Sequence, residues 1–441
     1  MRGIRHGFAV FLALVALVAA APVLAEENPA LVETLQIMRE RGLIDEAKHA
    51  ELVAKNQAWE ASHPSLLSRL EWSADFRGRM ENFWYEEDPF GVDNPDKNRG
   101  RYRLRIGARA KVNEVVTGGF MLASGDFDDQ GTGSGCENRS TNRSVGSGTD
   151  FNMDTVCIDQ AYVELALPMR FLPEGTTIKS IVGKQANPFL WKNGKDFLIW
   201  DNDITPEGVA VQLTSLPGGQ LSLFANAGYF VSDENSSTSD PHVMGAQGGL
   251  GFVPVEDVDT GLRLSVYRWG SGTSTFQASA NDFGALSRLD VAGDPIANDY
   301  TVAELGGYVR FTQIEDWPVL LYGQFAQNVD AENIAGAGDQ DTGWGAGIEI
   351  GDKKKLVMIG TGYYREEANF SPAQFTDSDL FDGYTNRKGW LAYLARELWP
   401  NTEVSVTLFK DDPIEDGAVF AVPGAPSSDR MRLQTDFLVK F

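Results

Sequence analysis

From Leu70 to Phe441 the chain alternates apolar and polar side chains at period two, the repeat of extended strands whose two faces meet different surroundings. The last eleven residues show it most plainly. Met431, Leu433, Thr435, Phe437, Val439 and Phe441 fall on one side and Arg432, Gln434, Asp436 and Lys440 on the other, with only Leu438 out of pattern. About sixteen such segments start near Glu71, Arg99, Val115, Cys157, Thr177, Pro206, Gln220, His242, Asp259, Tyr300, Trp317, Thr342, Leu356, Lys388, Thr402 and Arg430. Their connections alternate in length. Short ones such as Asn113-Glu114, Glu256-Asp257 and Pro400-Asn401 take turns with long polar ones at 86–98, 127–156, 190–205, 233–241, 269–298, 330–340, 367–387 and 412–428. A soluble β-sandwich has no reason to alternate in this way, whereas an outer-membrane barrel has tight turns at one rim and long loops at the other. The predicted fold is all-β: a transmembrane antiparallel β-barrel of about sixteen strands over residues 66–441, apolar face to lipid and polar face to a wet lumen. An even strand number places both termini at the periplasmic rim, where Phe441 becomes an interfacial anchor.

Two stretches precede the strands. Arg2 and Arg5 lead an uncharged apolar run, Phe8 to Ala20, and Val23-Leu24-Ala25 offers small residues for cleavage, which reads as a signal peptide over residues 1–25. The run falls short of the roughly 20 residues that a spanning helix needs. The chain after it has no apolar stretch of that length, so a membrane protein of this sequence has to cross as a closed barrel. From Asn28 to about Ala61, Leu31, Leu35, Met38, Leu43, Ala47, Ala50, Leu52 and Val53 recur at helical spacing. Gly42 divides them into two short helices, the second opening at Ile44-Asp45-Glu46-Ala47, with His63-Pro64-Ser65 as linker. Residues 26–65 are thus a periplasmic amphipathic helical segment, packed on itself or on other copies, or else serving as tether or plug.

Composition narrows the partners. The 38 basic residues less the two leader arginines leave 36 against 62 acidic ones, a formal charge near −26, which argues against nucleic acid. The 42% hydrophobic content is low for a helical membrane protein. Charge is also placed unevenly. Arg99, Arg101, Arg103, Arg105, Arg109 and Lys111 share one strand face, and Asp75, Arg77, Arg79 and Glu81 share a face of the strand before. An arginine facing lipid at mid-bilayer costs roughly 2–4 kcal/mol, so these faces must look inward. Arg77, Arg79, Arg101, Arg103, Arg105, Arg109 and Lys111 are therefore expected to line the pore. They either pair with lumen carboxylates or form a basic wall that attracts anionic solutes. A second candidate is the segment 190–205. Phe197-Leu198-Ile199-Trp200 is too apolar for a solvated loop and is flanked by Lys192, Lys195, Asp196, Asp201 and Asp203. It either folds back as a constriction loop or extends the aromatic girdle at the interface.

Other chemistry finds little support. Cys136 and Cys157 are the two cysteines, both bound one long connection, and in an oxidising compartment they are expected to form a disulfide. Asp126-Phe127-Asp128-Asp129-Gln130-Gly131 with Glu137 imitates calcium-loop spacing, but Gln130 replaces a carboxylate and no helices flank it. The histidines are scattered and no G-x-S-x-G elbow occurs, so no catalytic residues, metal or cofactor are assigned.

Several blocks resemble the putative porin family of Gram-negative outer-membrane barrels: 101–107 (RYRLRIG), 122–126 (LASGD), 159–163 (DQAYV), 183–189 (GKQANPF) and, most specific, Trp200-Asp201-Asn202-Asp203 with 206–210 (PEGVA). The resemblance implies a passive diffusion channel for small hydrophilic solutes or ions, resident in outer-membrane lipid, and a C-terminal Phe441 read by barrel-assembly machinery. It supplies no catalytic residues, and the cysteine-bounded loop departs from its pattern. Analogy with other barrels of this width points to a homotrimer at the level of fold alone. The competing function is a non-conducting structural or adhesive barrel that binds partners through its helices and external loops.

Overall fold

A computed structural model of the chain describes residues 29–62, 70–86, 96–125, 136, 140–146, 155–167, 173, 175–191, 195–218, 220–232, 240–270, 300–312, 317–331, 338–415 and 429–441. The expected leader and the His63-Pro64-Ser65 linker lie outside these residues. The chain forms two compact units, one of residues 1–72 with Arg109–Val112 and one of Ser73–Ala108 with Asn113–Phe441.

In the first unit, α1 (Pro29–Glu40) stops because Gly42 takes a left-handed φ of 68°. That turn lets the Leu43 N–H return to the Met38 carbonyl and the Gly42 N–H to the Arg39 carbonyl, both at 2.9 Å, which satisfies carbonyls left open at the helix end. Asp45 then caps α2 (Glu46–Ser62), its Oδ1 accepting from the Lys48 N–H at 2.7 Å.

The second unit is built on one sheet. Its strands are β1 (Leu70–Tyr85), β2 (Lys97–Lys111), β3 (Val116–Ser124), β4 (Arg143–Ser144), β5 (Val156–Ala166) and β6 (Thr177–Lys184). They continue as β7 (Glu207–Gly218), β8 (Leu221–Val231), β9 (His242–Val255), β10 (Val258–Gly270), β11 (Tyr300–Phe311) and β12 (Val319–Asn328). The last are β13 (Thr342–Gly351), β14 (Met358–Glu366), β15 (Arg387–Trp399), β16 (Thr402–Pro413) and β17 (Arg430–Lys440). Of the 17 strands, β4 is a two-residue inset pairing with β2, so sixteen full strands remain. Sequential neighbours pair antiparallel, and β17 pairs back onto β1 with Arg79 opposite Asp436 and Asp75 opposite Lys440. The ring is closed. Phe441 exchanges backbone hydrogen bonds with Ala74 at 2.8 and 2.9 Å, so the seam runs to the last residue. The protein is a sixteen-strand antiparallel β-barrel.

Strand starts fall within about two residues of the predicted positions, because period-two patterning is strong wherever one face meets hydrocarbon. On β10, Leu262, Leu264 and Val266 are exposed on the outer face, while Arg263, Ser265 and Tyr267 are buried on the inner one. Outside is apolar and inside polar, inverted from a soluble protein. Leu264→Arg should therefore cost about 2–4 kcal/mol of folding stability in lipid vesicles, read from urea titrations. An unchanged midpoint would show that this face does not meet lipid.

Candidate functional site: a charged constriction inside the barrel

Two connections turn inward. The first, residues 185–206 between β6 and β7, is held by its own turn chemistry: the Phe189 N–H donates to Asn187 Oδ1 at 3.0 Å and the Asp203 N–H to Asp201 Oδ1 at 2.7 Å. Phe189, Leu198, Ile199 and Trp200 are all but fully buried against inward-facing residues of β8–β14, among them Phe230, Tyr267, Trp269 and Tyr364. Phe189 packs edge-on to Tyr267 at 5.1 Å and Trp200 packs on Trp269 at 5.8 Å. The inner wall makes room at Gly245, where a Cβ would run into the Phe189 ring. The apolar run Phe197–Trp200 packs on this inner-face cluster.

Polar bonds fix this segment in register. Arg263 on β10 is fully buried and reaches Asp196 and Glu304, each at 2.5 Å, while Gln324 donates to Asp196 at 2.9 Å. Lys195 pairs with Glu349 and sits 5.5 Å from the Tyr393 ring centroid.

The second inward connection, 367–386 between β14 and β15, was expected only as a long polar link. Asp377 caps a four-residue helix, α3 (Ser378–Phe381), by accepting from the Asp379 N–H, and Asp382 ends it in the left-handed conformation at φ 58°. Phe370, Leu380 and Phe381 join the aromatic cluster. Asp201 bolts the two connections together. Its N–H donates to the Phe375 carbonyl at 2.8 Å and its Oδ2 accepts from the Ser378 N–H at 2.9 Å.

Facing them is the arginine wall of β17, β1 and β2. Arg79 holds Asp379 at 2.5 Å and Asp436 at 2.7 Å. Arg103 holds Asp75 at 2.9 Å and Asp203 at 3.5 Å, and Arg105 shares Asp75 at 2.8 Å. Arg430 and Arg432 both clasp Asp382, Arg432 at 2.7 Å. Arg77 donates to Asn142 at 2.5 Å and Arg101 to Ser140 at 3.0 Å, while Thr141 of the same stretch bonds Asp203 at 3.0 Å. Cys136 is disulfide-bonded to Cys157 of β5. Arg77, Arg79, Arg101, Arg103, Arg105, Asp201 and Asp203 thus gather in one region, while Asp196 and Lys195 pair with Arg263 and Glu349 on the aromatic side. Arg109 and Lys111 are exposed at the far end of β2 and fall in the other compact unit. Lys192 and the calcium-like stretch from Asp126 lie outside the described residues. The site stays wet, since the Asp379 side chain is 43% exposed and that of Arg105 27%.

Residues 82–285 match the putative porin family. That is a little under half of the chain. OprB of Pseudomonas putida shares 9% identity at a TM-score of 0.53, over 87% of this chain and 97% of its own. The DcaP channel of Acinetobacter baumannii shares 12% identity at a TM-score of 0.45, over 84% and 97% respectively. No curated protein matches the sequence. The OprB likeness establishes the fold, a porin barrel.

Two parts of this arrangement escaped the sequence reading. Arg263 and Glu304 sit singly on otherwise unremarkable strands, and only pairing through β10 and β11 brings them to Asp196. Phe370, Phe375, Leu380 and Phe381 carry the same signal that drew attention to Phe197–Trp200: too much apolar surface for a solvated link.

Charge and burial oppose each other at Asp382. Burial pushes its carboxyl up, but the Arg430 and Arg432 guanidiniums outweigh that and hold it down at about 2. Asp379 is lowered in the same sense, the desolvation that opposes it being outweighed chiefly by Arg79. A carboxylate depressed in the folded state stabilises docking above its unfolded pKa, roughly 3.9, and that contribution is lost as pH falls through the folded value. Docking of 367–386 should therefore be unchanged from pH 7 to about pH 5 and weaken progressively between about pH 4 and pH 2. Single-channel current noise recorded across that range checks it, and onset near neutrality would contradict it.

Removing Arg263 as Arg263→Met leaves Asp196 and Glu304 buried without their shared counter-charge, at a cost of about 3–5 kcal/mol. Lower urea resistance with larger, noisier conductance steps is the expected outcome. Wild-type behaviour would mean that aromatic packing alone holds 185–206.

Proposed function

We propose that the protein is an outer-membrane porin, a water-filled channel through which small hydrophilic solutes or ions diffuse passively. The observation that carries this is a closed ring of sixteen strands, apolar outside, whose charged interior is narrowed by two inward connections yet reached by solvent. A barrel of this width is too wide for wall side chains alone to fill. The region the family match covers holds β2 through β10, including the 185–206 segment. The reading is of a channel rather than an enzyme. The rim with the longer connections faces outward in this reading, which leaves the Phe441 seam at the periplasmic rim, available to barrel-assembly machinery.

The pairing of the arginines refines the expected selectivity. Asp75, Asp203, Asp379, Asp382 and Asp436 offset much of the wall, so the lumen carries a transverse field between arginines and carboxylates rather than one uniform sign. Such a field favours polar solutes that can orient in it.

Purified protein in a planar bilayer should give stepwise, ohmic conductance. Absence of steps from a folded, heat-modifiable preparation would favour a structural or adhesive barrel. In a salt gradient, replacing Arg101, Arg103 and Arg105 by glutamine should move the reversal potential toward cations. No movement would confine these arginines to a structural role.

A further inference from the structure

A solute meets only the half of an ion pair that faces water, and the pairs of the constriction are lopsided in that respect. The side chains of Arg79, Arg430 and Arg432 are no more than 2% exposed, whereas Asp379 and Asp382, which they hold, are 43% and 20% exposed. Arg103 likewise lies deeper than its partner Asp203. With the guanidinium buried and the carboxylate left wet, each pair is a dipole whose negative end meets the lumen. The wall is basic by composition and acidic by contact.

Three cations of the constriction break this order. Arg99, Arg105 and Lys195 are each more exposed than the carboxylate they hold, respectively Glu81, Asp75 and Glu349. Asp379 is more exposed than any of the three. Asp203, from the other inward connection, lies near enough to Asp379 for the two to repel, so both connections bring carboxylates to one place. Pairs nearer the short turns, Lys179 with Glu164 and Arg310 with Asp259, leave their cations well exposed, but they stand outside the constriction.

The approach carries the same sign. On the rim from which the two inward segments descend, connection 86–98 has five carboxylates and one lysine. Connections 233–241, 330–340 and 412–428 have aspartate or glutamate and neither lysine nor arginine. A mouth rich in one sign of charge concentrates ions of the other.

We infer that the constriction selects for cations, with Asp379 as its specificity-determining residue, so that potassium and ammonium-bearing solutes pass ahead of chloride and carboxylates of the same size. This deepens the channel reading above and rests on it. Asp379 suits a test because Arg79 also holds Asp436 at 2.7 Å, so removing one carboxylate does not strand the guanidinium.

Reversal potentials of the full-length protein in a planar bilayer under a potassium chloride gradient decide it. Wild-type protein should favour potassium over chloride by at least about threefold at low salt, the ratio shrinking as the Debye length falls toward about 3 Å at 1 M. Asp379→Asn should lower that ratio at least about twofold, and Asp379→Glu should retain it. A merely structural role for Asp379 would alter current noise and leave the ratio where it was. Should the asparagine variant fail to fold, swelling of liposomes that hold wild-type protein still tests the inference. Glucosamine should enter at least about threefold faster than gluconate, a solute of similar size and opposite charge. Chloride preference, an unchanged ratio in folded Asp379→Asn, or gluconate entering as fast as glucosamine would each overturn the proposal and leave the channel standing. Absence of any conductance would remove the channel reading and this inference together.

Discussion

Hydrocarbon cannot hydrogen-bond a backbone or solvate a charge, and every other feature of this chain answers to that constraint. It requires the ring to close, which it does through eleven register pairs between β1 and β17 and the bonds of Phe441 to Ala74. It also dictates that Arg79, Arg103, Arg263 and Arg432 turn inward while Leu264, Leu305 and Phe437 turn outward. A sheet of period two can satisfy both demands at once because a residue's neighbours along the strand always take the opposite face.

Closing sixteen strands creates a problem of its own, an interior too wide for wall side chains to fill. The chain solves it with two connections whose apolar residues would be poorly placed in water. Both dock on the same aromatic wall, and Asp201 joins them. Buried ion pairs then act less as stabilisers than as locators, since desolvation offsets much of their attraction. Arg263 places 185–206, and Arg79, Arg430 and Arg432 place 367–386. The same arrangement sets the field inside the barrel, so positioning and lumen electrostatics are two consequences of one set of charges.

Legibility followed the range of the interactions involved. The strand starts and the Gly42 break depend on a few adjacent residues and a solvent, and were readable in the chain. The inward turn of 185–206 was readable as one of two outcomes, because Phe197–Trp200 announced a need for burial without saying where. The 367–386 segment carried the same announcement in Phe370, Phe375, Leu380 and Phe381, spread thinly enough among polar residues to pass for a solvated link.

What the sequence determined by itself was therefore the barrel, its strand number of about sixteen and which face of each strand is apolar, since each follows from local periodicity and the price of a charge in hydrocarbon. Only tertiary structure decided which carboxylate each arginine holds. Asp379 is 300 residues from Arg79, and Asp196 is 67 from Arg263. No periodicity encodes such pairings; they exist because the ring closes and two connections fall inward, and with them comes the charge pattern of the pore.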